Sequence, residues 1–281
     1  VMETLLAIAL AACGVALFSL VSAARRQAQT RAWLRAAAAL GLDDVRTEQD
    51  FSGTHIEGRA DGLQLRLESY RRGRHEWGTR LVIRGLARLS LRRESAATAF
   101  EKRFLGETEI ELGAPGFDDR CFVTGSPALA CALLDARTRR ALVSALEGRL
   151  PVEPHPLRVR VTLSEGTLRL ECRGVWRTSS ERVTRLLRGG LALARLLTLP
   201  ADFPRRIASN LRDEPDPGVR LNALLTLARE YPNHPATRPA LLAARQDEGA
   251  EIRLRAALAL GEDGRETLLA LVRGEQVEDG C

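Results

Sequence analysis

The chain has 281 residues, 45% of them apolar and 28% charged, so it can build a sizeable core without disulfides or metals, and wholesale disorder is excluded. Its net charge of +6 comes from 42 Lys and Arg against 36 Asp and Glu, yet Lys102 is the only lysine, and with so much Ala, Leu and Gly this arginine skew reflects a GC-rich genome better than a nucleic-acid face. The five cysteines, Cys13, Cys121, Cys131, Cys172 and Cys281, include no CxxC pair and no His at ligand spacing, which excludes a zinc site and a disulfide framework and fits a reducing compartment.

Leu5 to Ala24 is 20 residues without a charge, the length that crosses ~30 Å of hydrocarbon at 1.5 Å per residue. The expectation is a single transmembrane anchor in residues 1–26. Arg25, Arg26, Arg31 and Arg35 follow it, so the positive-inside rule puts the remaining chain in the cytoplasm of a bacterial inner membrane. Leu10-Ala11-Ala12-Cys13-Gly14 also resembles the bacterial lipobox, which gives a lipoprotein anchored at Cys13 as the alternative. Gln27 to Leu40 has helix-forming composition, with Gly41 as its stop and Trp33 packing onto the domain that follows.

Beyond Gly53 the pattern changes to alternation. His55–Arg59 and Leu63–Tyr70 flank Asp61-Gly62 as a hairpin, and further strands are expected at Leu81–Ile83, Leu89–Arg92 and Glu109–Leu112. Gly113 to Gly116 reads as a turn before Cys121-Phe122-Val123. Ser126-Pro127 opens a helical stretch through Leu133, Leu134, Leu142 and Leu146, closed by Gly148. Val159, Val161 and Leu163 turn at Glu165-Gly166 into Leu168, Leu170 and Cys172. Thr178-Ser179-Ser180-Glu181 then caps a helix with an apolar stripe from Val183 to Leu193. Residues 27–200 are thus an α+β domain with an antiparallel sheet. Phe117-Asp118-Asp119-Arg120-Cys121-Phe122-Val123, followed by Ala132-Leu133-Leu134-Asp135 and Arg139, resembles an uncharacterised class of domain found in bacterial membrane-anchored proteins, which implies a fold and a membrane setting but no activity.

Candidates for chemistry are few. The four histidines, at 55, 75, 155 and 234, have no nucleophile elbow or second His at metal spacing. Asp118 and Asp119 are adjacent, so on a strand or tight turn they point apart and suit turn formation or capping better than paired acid and base roles. Gly189-Gly190 lies within a helical pattern and marks a break or a close helix contact. No catalytic residue, metal ligand or cofactor site is expected. The arginine-rich loop of Arg71, Arg72 and Arg74 is a candidate contact for an anionic surface, with a solvated hairpin tip as the alternative.

Near the C-terminus the sequence repeats itself. Val219-Arg220-Leu221-Asn222-Ala223-Leu224 recurs 33 residues later as Ile252-Arg253-Leu254-Arg255-Ala256-Ala257, each after an acidic turn. Val219, Ala223, Leu224 and Leu227 fall three and four residues apart and line one helix face, and Ile252, Ala256 and Leu260 take the corresponding places in the second copy. These units resemble HEAT repeats over residues 204–273, which implies stacked helical hairpins and a protein-binding or scaffolding role. By that resemblance Arg220 and Arg253 pair with turn acidics of the neighbouring unit. Two copies and a fragment are few for a stable stack, so the α+β domain is expected to cover one end, and the polar residues 274–281 to fray. From Pro204 onward there are 11 Arg against 13 Asp and Glu, a balance unsuited to tracking phosphates, so no nucleic-acid partner is expected. The resulting expectation is a membrane-anchored, non-enzymatic scaffold with an unknown protein partner. The alternative is a lipid- or small-ligand-binding domain at the cytoplasmic membrane face, with the repeats only structural.

Overall fold

A computed structural model describes residues 2–50, 53–72, 76–93, 109–150, 159–173 and 179–273. The first element, α1 (Met2–Ala39), is one 38-residue helix that joins the apolar N-terminal run to the Gln27–Leu40 segment. Gly41 ends it with a φ of +62°, a conformation open to glycine at little cost. Among the described side chains of α1, those packed on the protein lie toward its C-terminal end: Gln29, Ala32, Trp33, Ala36 and Ala37 are buried, and the Gln29 amide donates to Ser69 Oγ at 2.6 Å.

The expected membrane span finds no support in the structure. Among the described residues no helix is long and apolar enough to cross a membrane. Val15, Leu17, Phe18 and Leu20 are exposed on α1.

Among the described residues, eight strands form one antiparallel sheet: β1 (Asp43–Asp50), β2 (Gly53–Ala60), β3 (Leu63–Arg72), β4 (Glu76–Arg84), β5 (Ser90–Arg93), β6 (Cys121–Thr124), β7 (Val159–Ser164) and β8 (Thr167–Arg173). Their order across the sheet is β1-β2-β3-β4-β8-β7-β5-β6. Turn chemistry sets the register of two hairpins. Asp61 and Gly62 take φ of 53° and 77°, and Glu165 and Gly166 take 46° and 75°, the paired positive values that match the twist of flanking strands. Alternation then puts Leu63, Leu65, Leu67, Leu81, Ile83, Leu168 and Leu170 on one face and Arg66, Glu68, Arg80, Arg169 and Glu171 on the other. The polar face carries an ion-pair chain in which Arg66 joins Glu57 to Glu68 and Arg80 joins Glu68 to Glu171.

Helices cover the apolar face. They are α1, α4 (Ala136–Leu146) and α5 (Ser180–Leu196), whose Ser179 cap accepts from the Arg182 N–H. Gly190 lets α5 sit directly on the sheet, because a Cβ there would lie 2.6 Å from Leu81 Cδ2. The Gly189-Gly190 pair is therefore a close contact within an unbroken helix.

Three local expectations change. Glu109–Leu112 is not a strand; Ile110 N–H donates to Val123 O, but the segment then turns into the one-turn helix α2 (Pro115–Asp118). The stretch after Ser126 is two helices, α3 (Pro127–Leu133) and α4, because Asp135 leaves helical geometry to accept from the Thr138 N–H as an N-cap. β1 was not expected at all: its DDVRTEQD sequence lacks apolar alternation and suits a charged sheet edge that resists pairing with other chains.

The C-terminal helices are α6 (Phe203–Asp213), α7 (Pro217–Glu230), α8 (Thr237–Ala244), α9 (Ala250–Leu260) and α10 (Arg265–Arg273), with a 3-10 turn at Gly261–Gly264. They pair as first and second helices of successive units, α6 with α7 and α8 with α9, and α10 starts a third. Their shared core contains Ile207, Leu211, Ala223, Leu224, Leu227, Leu241, Ile252 and Ala256, together with Ala128, Cys131 and Ala132 of α3.

Candidate functional site

The helical array is built around three arginines that sit in equivalent places. Arg220, at the start of α7, donates through Nη1 to the carbonyls of Glu214 and Pro215 in the turn of its own unit, at 2.9 and 3.1 Å. Its other nitrogens reach the next turn, with Asp247 at 2.8 and 3.0 Å and Glu248 at 2.7 Å. The Asp247 hydrogen bond and charge hold the Arg220 guanidinium even more firmly protonated than usual, against a desolvation that acts the other way. One buried side chain thus ties two units together.

Arg139 repeats this arrangement one step earlier, in a segment without the repeat motif. It donates to Leu134 O, its own preceding turn, at 2.9 Å, and to Glu214 at 2.9 Å and Asp216 in the turn of the α6–α7 unit. Glu214 also accepts from the Ala136 N–H at 2.6 Å. The α3–α4 hairpin therefore takes the position of a unit preceding α6–α7. Around it Asn210 Nδ2 donates to the Cys131 and Ala132 carbonyls at the end of α3, and Cys131 Sγ lies 3.5 Å from Thr226 Oγ1. The N-terminal end of the array is sealed by the domain that carries the sheet.

A second seam runs along the loop before α2. The Asp118 carboxylate accepts from the N–H groups of Leu112, Gly113 and Ala114 at 3.3, 2.9 and 2.9 Å and so shapes that loop. Burial pushes the Asp118 carboxyl above the usual carboxylate range, and the three N–H bonds oppose that rise. Gly113, with φ of +80°, then crosses Gly218 backbone to backbone; a Cβ at Gly113 would lie 2.6 Å from the Gly218 carbonyl carbon. Asn222 Nδ2 completes the seam with a bond to Glu111 O at 3.1 Å.

Of the residues singled out from the sequence, Ala223, Leu227, Ile252 and Ala256 are buried between the array helices, Leu260 is half-buried there, and Val219 is buried in the core of the sheet domain. Arg220 bridges units as described. Arg253 bonds the carbonyls of Asp247 and Glu248 at 2.8 and 2.9 Å, but among the described residues no carboxylate pairs with it. Arg71 and Arg72 end β3 and their side chains, like all of Arg74, lie outside what is described, as do His75 and His155. His55 stands 2.9 Å from Glu48 across the β1–β2 pair, and His234 accepts the Ala236 N–H within its own loop. Among the described residues no group of three or more His, Cys, Asp or Glu is placed to hold a metal ion. The sequence singled out Arg139 only within a resemblance that implied no role; its part as a bridge carried no signal, because its partners lie 75 and 77 residues away and its segment lacks the Val-Arg-Leu pattern.

Two concavities flank these arginines. A groove of about 620 Å³ between the first helices α6 and α8 has Ala208, Leu211, Pro239 and Ala240 along it and Arg205 and Arg212 at its rim. A cleft of about 480 Å³ lies where α2 and α4 meet the α6–α7 turn, lined by Phe117, Arg120, Arg140, Val143 and Pro215 among others.

The model of HEAT repeats matches residues 205–274, in agreement with the helical pairs and with the Arg220 bridge. The C-terminal region is therefore a set of HEAT-like repeats. No curated protein and no solved structure matches the chain.

Proposed function

We propose that the chain is a non-enzymatic interaction or scaffold protein that presents its HEAT-like array to a protein partner. The observation that carries this reading is the groove between α6 and α8, an apolar floor with a charged rim on helices matched by the HEAT model. HEAT-type arrays use extended helical surfaces of this kind to bind macromolecules. Three titratable groups in or beside the core are already engaged in structure: half-buried Asp118 holds its loop, Cys131 packs against Thr226, and Cys172, on β8, packs into the core. That supports binding over catalysis.

Attachment to a membrane at its cytoplasmic face belongs to the same proposal. It is supported by the exposed apolar side chains from Val15 to Val21, followed by Arg25, Arg26, Arg31 and Arg35, a combination that favours an anionic bilayer surface. The buried free thiols Cys121, Cys131 and Cys172 suit a reducing compartment. Co-sedimentation of the full chain with phosphatidylglycerol vesicles tests attachment; recovery that is equal with neutral vesicles, or absent from both, opposes it.

The interaction reading is tested by placing a photo-cross-linking amino acid at Arg205 or Arg212 on the groove rim and, separately, at Arg84 or Arg169 on the polar sheet face, in the full chain inside its host cell. Discrete adducts from the rim positions alone are expected. Adducts of the same kind from the sheet positions, or none from the rim, would count against the array as the binding surface.

A further inference from the structure

We propose that the polar face of the sheet carries a site, centred on Arg84, for the phosphoryl group of a small ligand or lipid headgroup. This goes beyond the interaction reading above and rests on other residues.

Two arginines on one strand differ in what faces them. Arg80 and Arg84 lie four residues apart on β4, so both stand on the polar face. Arg80 has Glu68 and Glu171 directly opposite on β3 and β8, and donates to them at 2.9 and 2.8 Å. Arg84 has Gln64 and Thr167 in those places, and among the described residues no carboxylate pairs with it. Its diagonal neighbours across β3 and β8 are Arg66 and Arg169, which flank Val82, so they add positive charge and remove none. Arg169 is exposed and also lacks a carboxylate partner among the described residues, with Thr162 opposite it on β7. Arg80 therefore sits in a ladder of alternating charge, while Arg84 sits where the cations are in excess.

The backbone makes a concavity at this place. A groove of about 200 Å³ opens beside Arg84, with Arg46, Arg59, Arg66 and Arg84 around it against Asp44 and Glu57. Glu57 already accepts from Arg66 at 3.1 Å, and Asp44 stands 3.8 Å from Arg59. Arg46 is exposed and, like Arg84, unpaired among the described residues. Along this wall β1 bulges: Asp44 and Val45 together face Gly58, and Asp44 takes a φ of 52°. A bulge of this kind bends an edge strand and re-aims its side chains. Val82 lines the groove and is only 6% exposed, as expected where arginine stems lie over an apolar neighbour.

The chemistry of this lining selects its ligand. Guanidinium groups present forked N–H donors that match phosphoryl oxygens. Gln64 and Thr167 add an amide and a hydroxyl on either side of Arg84 without bringing a competing charge. Four arginines against two carboxylates leave an excess of two, which matches a phosphoryl dianion better than a single carboxylate. A long polyanion such as nucleic acid does not fit, because the neighbouring row Glu68, Arg80, Glu171 alternates in sign and interrupts the cationic track.

The test uses the full chain and two probes: pyrophosphate in isothermal titration calorimetry at fixed ionic strength, and vesicles of phosphatidic acid in phosphatidylcholine in co-sedimentation. Gln64→Glu is the decisive variant. It puts a carboxylate opposite Arg84, as Glu68 stands opposite Arg80, at an exposed strand position where the thermal midpoint should hold or rise. Saturable binding by the unaltered chain is expected, weakened at least about tenfold by Gln64→Glu and by Arg84→Gln. Arg255→Gln removes the same charge from the helical array and should change affinity by less than about twofold. Weakening seen with pyrophosphate alone identifies a soluble ligand, and weakening seen with the vesicles identifies a headgroup. Absence of binding to both probes, binding that Gln64→Glu and Arg84→Gln leave unchanged, or an equal loss in Arg255→Gln overturns the proposal, whatever the cross-links at the groove rim of the array show.

Discussion

Replacing Arg139 by Met probes the junction that makes the sheet domain and the array one structure. The Arg139 side chain is 6% exposed and that of Glu214 is 3% exposed, so the substitution leaves a carboxylate in a dry site with only the Ala136 N–H and no cation. Breaking a buried pair from one side costs about 3–5 kcal/mol, because the remaining charge keeps its desolvation penalty and loses its compensation. Asp216, at 42% exposure, turns to water and adds little. With a urea m-value of about 2–3 kcal/mol/M, the loss lowers the unfolding midpoint by roughly 1–2.5 M. Adding Glu214→Gln to Arg139→Met removes the stranded charge while Gln Oε1 still accepts from Ala136, so the double variant should recover a large part of the loss. A control is the exposed pair Arg255–Glu251 at one helical turn, worth about 0.3–0.5 kcal/mol. An Arg139→Met protein that unfolds within 1 kcal/mol of the parent, or a double variant no better than the single, refutes the claim that this contact is a buried inter-unit bridge.

Other outcomes follow from the same structure. Gly218→Ala should destabilise by about 1–3 kcal/mol, although Ala is normally the better helix former by ~1 kcal/mol, because its Cβ would meet the Gly113 backbone; thermal melting that shows a gain removes the close crossing from the account. Trp33→Ala should cost about 3–5 kcal/mol by emptying a fully buried site under α1, and a loss below 1 kcal/mol in urea unfolding contradicts the docking of that helix on the sheet. Burial pushes the Cys172 thiol up to about 12, from an unfolded value of about 8.5. A raised thiol pKa favours the fold fully below the unfolded value and progressively less as pH climbs toward 12, so urea midpoints should decline above about pH 9 and Cys172→Ala should flatten that decline. Equal slopes in the two proteins count against it. Native alkylation should mark exposed Cys13 and spare Cys121, Cys131 and Cys172 until denaturant is added, as mass spectrometry of tryptic peptides will show.

Local chemistry made some elements readable in the sequence and long-range chemistry hid others. Asp61-Gly62 and Glu165-Gly166 force paired positive φ values, so their hairpins follow from four residues and the alternation beside them. The 33-residue repeat similarly exposed α6 to α10, since each unit carries its own apolar stripe and acidic turn. β1 stayed hidden because an edge strand of mostly charged residues has no apolar period to detect. The split between α3 and α4 was signalled by Asp135, an N-cap residue inside a run of helix formers, and the leucines on both sides masked it. Glu109–Leu112 looked like a strand by composition but is an extended loop moulded by Asp118. The uncharged stretch Leu5–Ala24 gave the expectation of a span, but among the described residues no helix is long and apolar enough to cross a membrane. Within the array, Arg220 was recognisable from its motif, while Arg139 performs the same task with no motif, through partners brought near only by folding.

The claim at the centre of the account is that the partner sits on the helical array. Hydrogen–deuterium exchange of the full chain, with and without a partner purified by rim cross-linking, measures this most directly. Slowed exchange concentrated in residues 203–273, strongest in α6 and α8, is the predicted result; slowing confined to β2, β3 and β4, with the array unchanged, would contradict it.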